Sequence, residues 1–219
     1  YPWRSGESNV AEVKTDAKKT PTGVVAATIN NTEISLNWVD ETDAESRFEI
    51  WRCQGVGCTG FAYLDEVPGG VTSYTDSGLA ESTSYSYKVR AHKDVPDAIH
   101  PWTTSLSAPA ATAKTFPPPA SGLSAAPLTA RMIELVWEDN ASDEDGYIIE
   151  VKVWNGRFIE TGRVGADQTT YIDKVGIEPG TRYVYRVCPY RGEGKSPYSE
   201  EAFATPTLDD GDGTCSPVP

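Results

Sequence analysis

The stretches Leu79-Ala80-Glu81-Ser82-Thr83-Ser84-Tyr85-Ser86-Tyr87-Lys88-Val89-Arg90-Ala91 and Ile177-Glu178-Pro179-Gly180-Thr181-Arg182-Tyr183-Val184-Tyr185-Arg186-Val187-Cys188-Pro189 carry one pattern twice. Each starts on an aliphatic residue, passes through a turn-forming segment and a Thr, and continues as Tyr-x-Tyr-x-Val. That is the period-2 alternation of a strand with one buried face. In both copies the first Tyr stands six residues after the aliphatic. The spacing predicts a tyrosine corner, with the ring at the edge of a sandwich core and the hydroxyl returning to the backbone a few residues upstream. The copies lie about 98 residues apart, so the 219-residue chain divides into two similar units.

Working outward, the repeat extends to other positions. Trp38 and Trp137 are 99 residues apart, Phe48 and Ile50 are answered by Tyr147 and Ile149, and Ser73-Tyr74-Thr75-Asp76 by Thr170-Tyr171-Ile172-Asp173. The first unit runs over 21–115 and the second over 121–206, with an N-terminal arm at 1–20 and a C-terminal tail at 207–219. In the first unit seven short strands are expected, at 24–29, 33–39, 47–53, 62–67, 71–76, 84–92 and 106–114, separated by Gly, Pro, Asn, Asp and Ser clusters. Ile34, Leu36 and Trp38 alternate inward on the second of these, which makes Trp38, and Trp137 with it, a core aromatic. Between the units, 116–120 contains Pro117-Pro118-Pro119, an extended, stiff spacer. The fold class is therefore all-β, two seven-stranded immunoglobulin-like sandwiches in tandem.

Both units resemble fibronectin type III domains of the bacterial extracellular kind. The residues that carry the resemblance are Trp38 and Trp137, Phe48 and Tyr147, and the corners Leu79 with Tyr85 and Ile177 with Tyr183. The pattern W-x-D followed by a polar loop also matches, at Trp38-Val39-Asp40 and Trp137-Glu138-Asp139. The resemblance implies fold and not one function, since such domains serve as spacers, adhesive modules and interaction platforms alike. The Arg-Gly-Asp tripeptide of some animal members is absent, and the corresponding loop reads Asp94-Val95-Pro96-Asp97-Ala98-Ile99-His100-Pro101-Trp102.

Net charge is −13, which opposes binding to nucleic acid and to anionic lipid. No apolar run reaches the roughly 18 residues that would cross a bilayer. The chain begins at Tyr1 without an initiator Met, as a mature exported protein does after signal-peptide removal, so an extracellular or cell-surface location is expected. The four cysteines fit that compartment. Cys53 and Cys58 flank Gln54-Gly55-Val56-Gly57 and suit a local hairpin disulfide, which leaves Cys188 to pair with Cys215. Alternation places Tyr183, Tyr185 and Val187 inward and Cys188 on the outer face, where the tail could reach it. Zinc-ligand spacings and the Cys-x-x-Cys-His haem signature are missing, and no cofactor is expected.

Asp139-Asn140-Ala141-Ser142-Asp143-Glu144-Asp145-Gly146 is dense in oxygen ligands. Aligning Gly146 with the turn glycine of a 12-residue calcium loop puts Ala141 at position one and Lys152 at position twelve, so that motif fails. The tail Asp209-Asp210-Gly211-Asp212-Gly213-Thr214 lacks the closing bidentate Glu, and no metal site is assigned. His92 and His100 are the two histidines, with no nucleophile elbow beside either and no phosphate loop in the chain, so no catalytic residue is assigned and the protein is expected not to be an enzyme.

What remains is surface. Alternation leaves Trp51 and Trp154 pointing outward, Trp102 falls in a long loop, and Tyr1 and Trp3 sit in the arm. Exposed aromatics mark interfaces, because they bury much area at little entropy cost. These five residues are the interface candidates. The expectation is an exported, non-enzymatic structural or adhesive protein that associates with itself or other surface proteins through its arms and aromatics, into a filamentous or cell-surface assembly. The alternative is a carbohydrate-binding or spacer module pair of a secreted polysaccharide-degrading enzyme, with polysaccharide as partner.

Overall fold

The computed structural model describes residues 18–42, 45–94 and 101–208. Every regular element among the described residues is a strand. The first sandwich packs a sheet of β1 (Thr22–Thr28), β2 (Glu33–Val39) and β5 (Ser73–Ser77) against one of β3 (Arg47–Gln54), β4 (Ala62–Pro68), β6 (Ser84–Lys93), β7 (Trp102–Thr103) and β8 (Ala111–Lys114). The second repeats this with β9 (Ser121–Thr129), β10 (Met132–Glu138) and β13 (Thr170–Asp173) against β11 (Gly146–Val153), β12 (Ile159–Gly165), β14 (Tyr183–Arg191), β15 (Gly194–Lys195) and β16 (Ala202–Ala204). All pairings are antiparallel, and the central pairs β3–β6 and β11–β14 run in register over eight residues each.

The period-2 pattern decides which side chains are buried. Ile34, Leu36 and Trp38 from β2 meet Phe48 and Ile50 from β3 and Tyr85, Tyr87 and Val89 from β6 in one core. Ile133, Leu135, Trp137, Tyr147, Ile149, Tyr183, Tyr185 and Val187 form its counterpart. In each, the central Trp packs against the ring of the third strand, edge-on at a centroid distance of 5.6 Å for Trp38–Phe48 and tilted at 5.5 Å for Trp137–Tyr147. Both tyrosine corners form. The Tyr85 hydroxyl accepts the Ala80 N–H at 3.1 Å, and the Tyr183 hydroxyl accepts the Glu178 N–H at 2.9 Å and donates to the Gly176 carbonyl at 3.0 Å.

The last strand departs from expectation. Instead of one strand over 106–114, the chain pairs with β6 at its end through β7 and at its start through β8. The stretch between contains Pro109, which has no N–H to give a ladder. Hydroxyls bridge the gap there: the Thr104 and Ser107 N–H groups donate to the Ala91 and Val89 carbonyls, while their side-chain oxygens accept the Ala91 and Val89 N–H groups at 3.0 Å. Ser199 does the same for Val187 in the second sandwich.

Candidate functional site

Along β3 the alternation that buries Phe48 and Ile50 turns Arg47, Glu49 and Trp51 to the outer face, and along β6 it turns out Lys88 and Arg90. The register sets Glu49 opposite Arg90 and Trp51 opposite Lys88. Arg90 donates to Glu49 at 2.8 Å and lays its guanidinium 4.7 Å above the Trp51 ring, a cation–π arrangement. Tyr63 of β4 stands edge-on to the same indole at 6.1 Å. Trp51 does face outward, as expected, but one face of its ring is already occupied.

The second sandwich builds a longer version. Glu150 on β11 faces Arg186 on β14, accepts from it at 2.6 and 2.9 Å, and takes the Tyr198 hydroxyl at 2.7 Å. Burial alone would raise the Glu150 pKa, but the Tyr198 and Arg186 hydrogen bonds and the Arg186 charge hold it below the usual carboxylate value. The Arg186 guanidinium lies between two rings, 3.9 Å from Phe158 and 3.7 Å from Tyr198. Just before β14, Arg182 lies between Trp154 at 4.0 Å and Phe203 at 3.8 Å. Those last two rings are the open ones, 51 % and 58 % exposed. Trp154 sits in the turn just after β11 rather than within the strand, with φ of 30°.

Trp102 lies on β7 and not in a long loop, where it is half-buried and packs against the first core. The loop around it is tied down by the Thr104 and Ser107 bonds described above. Tyr1 and Trp3 lie outside the described residues, as do His100 and the acidic tail. Cys53 and Cys58 form the expected disulfide. Cys188 does lie off the core, on the far face of β14, but it is fully buried beside Tyr198, Glu150 and Lys195, and burial pushes its thiol up to about 11. The chain after β14 folds back over it, through Ser196 and Ser199 bonding to the Pro189 and Val187 carbonyls. Cys215, its expected partner, lies outside the described residues.

A second cluster joins the sandwiches. Asp143, in the loop between β10 and β11, accepts the Ser82 hydroxyl and the Lys114 ammonium, both at 2.5 Å from the first sandwich, and also pairs with Arg191 at the end of β14. Arg191 in turn donates to the carbonyls of Lys114 at 3.1 Å and Thr115 at 2.8 Å. Thr115 is fully buried, its hydroxyl bonded to the Ala80 carbonyl, and Asn140 holds the Pro119 carbonyl at 2.9 Å. Phe116 lies so close to Gly194 that a Cβ there would come within 2.1 Å of its ring. The linker is thus fastened at both ends. The sequence offered the stiff prolines but no sign of Asp143 or Arg191, whose meeting depends on how the units dock.

Three further carboxylates converge at the edge of the second sandwich. Asp139, Glu144 and Asp167 each place one oxygen within 4.8 Å of the others. They come from two loops, so no contiguous motif reveals them. His92 is engaged on both ring nitrogens, by Thr103 at 2.8 Å and Asp94 at 3.1 Å.

The chain is 28 % identical over 182 residues to Exoglucanase B of Cellulomonas fimi, a match covering 79 % of this chain and 15 % of that protein. It is 36 % identical over 80 residues to an alpha-amylase of Niallia circulans, covering 36 % of this chain and 6 % of the relative. It therefore spans only a small part of the length of either. Among solved structures, a two-domain fibronectin type III segment of chicken tenascin is similar over 85 % of this chain and 99 % of that one, at 19 % identity and a TM-score of 0.43. The FN1–FN3 domains of chicken CNTN1 are similar over 85 % and 67 %, at 15 % identity and a TM-score of 0.49. The family model for the fibronectin type III domain matches twice, over residues 19–105 and 117–205. With two matches that take in most of its length, the chain belongs to the fibronectin type III family.

Proposed function

We propose that this chain is a non-catalytic spacer pair of an exported polysaccharide-degrading protein, holding its neighbours at a set distance and angle. The observation that carries this reading is the fastening at Asp143, where one carboxylate takes donors from Ser82 and Lys114 of the first sandwich and Arg191 of the second. A flexible tether has no use for such a junction. The relatedness to parts of Exoglucanase B and an alpha-amylase supports the setting, and the Cys53–Cys58 disulfide supports an oxidising, extracellular one. These relatives favour the spacer over self-association through terminal arms. Small-angle scattering tests the reading: a single extended particle is expected, and a broad, bent ensemble indifferent to Asp143→Ala overturns it. Light scattering at rising concentration should return a monomer; a polymer would restore the self-association reading.

The open Trp154 and Phe203 rings favour a second role, as a flat contact for sugar rings. Retention on insoluble cellulose or starch, lost in Trp154→Ala, is the expected result; equal retention of wild type and variant removes it.

A further inference from the structure

The two sandwiches carry the same acidic frame in the loop between their second and third strands, and they close it differently. In the first, Asp40 accepts the Thr42 N–H at 2.8 Å, and Glu45 accepts the Gly70 N–H at 2.9 Å. The Thr42 hydroxyl sits between the two carboxylates, 2.9 Å from Asp40 Oδ1 and in a short contact with Glu45 Oε2. Every inward oxygen has a hydrogen there.

In the second sandwich Asp139 and Glu144 hold the same places. Asp139 accepts the Ala141 N–H at 2.8 Å, and Glu144 Oε1 accepts the Asp167 N–H at 3.0 Å. Two residues have changed. Ala141 stands where Thr42 stood, so the bridging hydroxyl is gone, and Asp167 stands where Gly70 stood, adding a third carboxylate. Glu144 is only 7 % exposed, and its Oε2 is buried with no hydrogen-bond donor. A buried carboxylate oxygen left bare costs more free energy than a neutral polar atom would. Among the described residues, the donors that reach these three side chains are neutral: the two backbone N–H groups and the Tyr147 hydroxyl on Asp139 Oδ1. Three negative charges thus meet around an oxygen that lacks a partner.

We propose that Asp139, Glu144 and Asp167 bind a calcium ion. The donor set contains oxygen alone, which selects a hard cation. Oxygens on opposite sides of a calcium ion, each at about 2.4 Å, are about 4.8 Å apart, and the three ligand atoms fall within that span. Magnesium needs near-ideal octahedral geometry at about 2.1 Å and sheds water reluctantly, a poor match to carboxylates from two separate loops. Asp167 is exposed, which leaves room for water to complete the shell. The ion supplies the countercharge that Thr42 makes unnecessary in the first sandwich. The site itself does not depend on the spacer reading.

Calorimetric titration and thermal unfolding of the full chain, stripped with chelator, test this. An affinity of about 10⁻⁴ to 10⁻³ M is expected for an extracellular module of this kind. At 10 mM calcium one of two unfolding transitions should then rise by about 5–20 °C. Asp167→Gly recreates the first sandwich's residue and suits the left-handed backbone there, φ 60°, so it should fold and lose the shift. Ala141→Thr restores the hydroxyl and should weaken binding at least tenfold. The proposal is overturned by no heat and no shift at 10 mM calcium, by an equal shift from magnesium or from potassium chloride at matched ionic strength, or by an undiminished shift in both variants.

Discussion

The Ser82 hydroxyl of the first sandwich donates to Asp143 of the second at 2.5 Å, so the two folding units share a carboxylate. Burial would raise the pKa of Asp143, but the Lys114 and Ser82 hydrogen bonds and the Arg191 charge outweigh it and hold the carboxyl below the usual value. The folded-state pKa is the depressed one, so the fastening is fully present above the unfolded value of about 3.9 and is lost as pH falls through the lower, folded value. Scattering profiles should therefore be constant from pH 7 to about 5 and broaden only in stronger acid. Asp143→Asn should loosen the pair at neutral pH. A wild-type profile that changes between pH 7 and 5 would contradict this assignment.

Gly194 sets the other half of the junction. Because a Cβ there would press on the Phe116 ring, Gly194→Ala should displace the ring and alter the interdomain angle while leaving both sandwiches folded. Residual dipolar couplings measured on each unit should shift relative to one another, with within-unit couplings preserved.

The tyrosine corners make unequal use of one hydroxyl. Tyr183 both accepts from Glu178 and donates to Gly176, whereas Tyr85 accepts from Ala80. Removing the hydroxyl leaves two backbone groups unpaired in the second sandwich and one in the first. Tyr183→Phe should cost about 2 kcal/mol and Tyr85→Phe about 1 kcal/mol. Faster amide exchange at Glu178 in Tyr183→Phe is the local readout, and unchanged exchange there would exclude the bond as its source of protection.

These corners were legible in the sequence because they are local: an aliphatic, a turn and a Tyr at fixed spacing, followed by alternation. The buried faces of β2, β3 and β6 followed from the same period. What alternation cannot report is what lies over an outward residue. Cys188 and Trp51 were both placed outward, yet the chain after β14 covers the first and Arg90 stacks on the second. Trp102 differs for another reason: where the sequence suggests a long loop, β7 and the Thr104 and Ser107 hydroxyls dock that segment onto β6. The pairs Asp143 with Arg191 and Glu144 with Asp167 join residues far apart in sequence, and nothing in the chain order points to them.

Cys188 gives a chemical test of its burial. With its thiol pushed up to about 11, little thiolate exists at pH 8, and solvent does not reach the sulfur. Maleimide should leave Cys188 unmodified in the native chain and modify it only under denaturing, reducing conditions, with peptide mapping to assign the site. Rapid native labelling would mean that the segment from Gly194 to Tyr198 opens readily.

The two buried tyrosine–aspartate pairs should respond differently to the same substitution. Tyr87 donates to Asp76 at 2.8 Å, and Asp76 also receives Arg52 at 2.9 and 3.0 Å. Tyr185 donates to Asp173 at 3.0 Å, where the other partners are the Val175 N–H and the Thr161 hydroxyl, both neutral. A hydrogen bond to a charged group contributes about 1.5–3 kcal/mol. In Tyr87→Phe the remaining guanidinium still compensates Asp76, so the loss should fall at the lower end. In Tyr185→Phe the buried Asp173 charge loses one of its few donors without a cation to replace it, and the loss should fall at the upper end. Guanidinium unfolding of the full chain, with each transition assigned by the core tryptophan of its own unit, measures both. Equal losses in the two variants would show that Arg52 is not what separates the two sites.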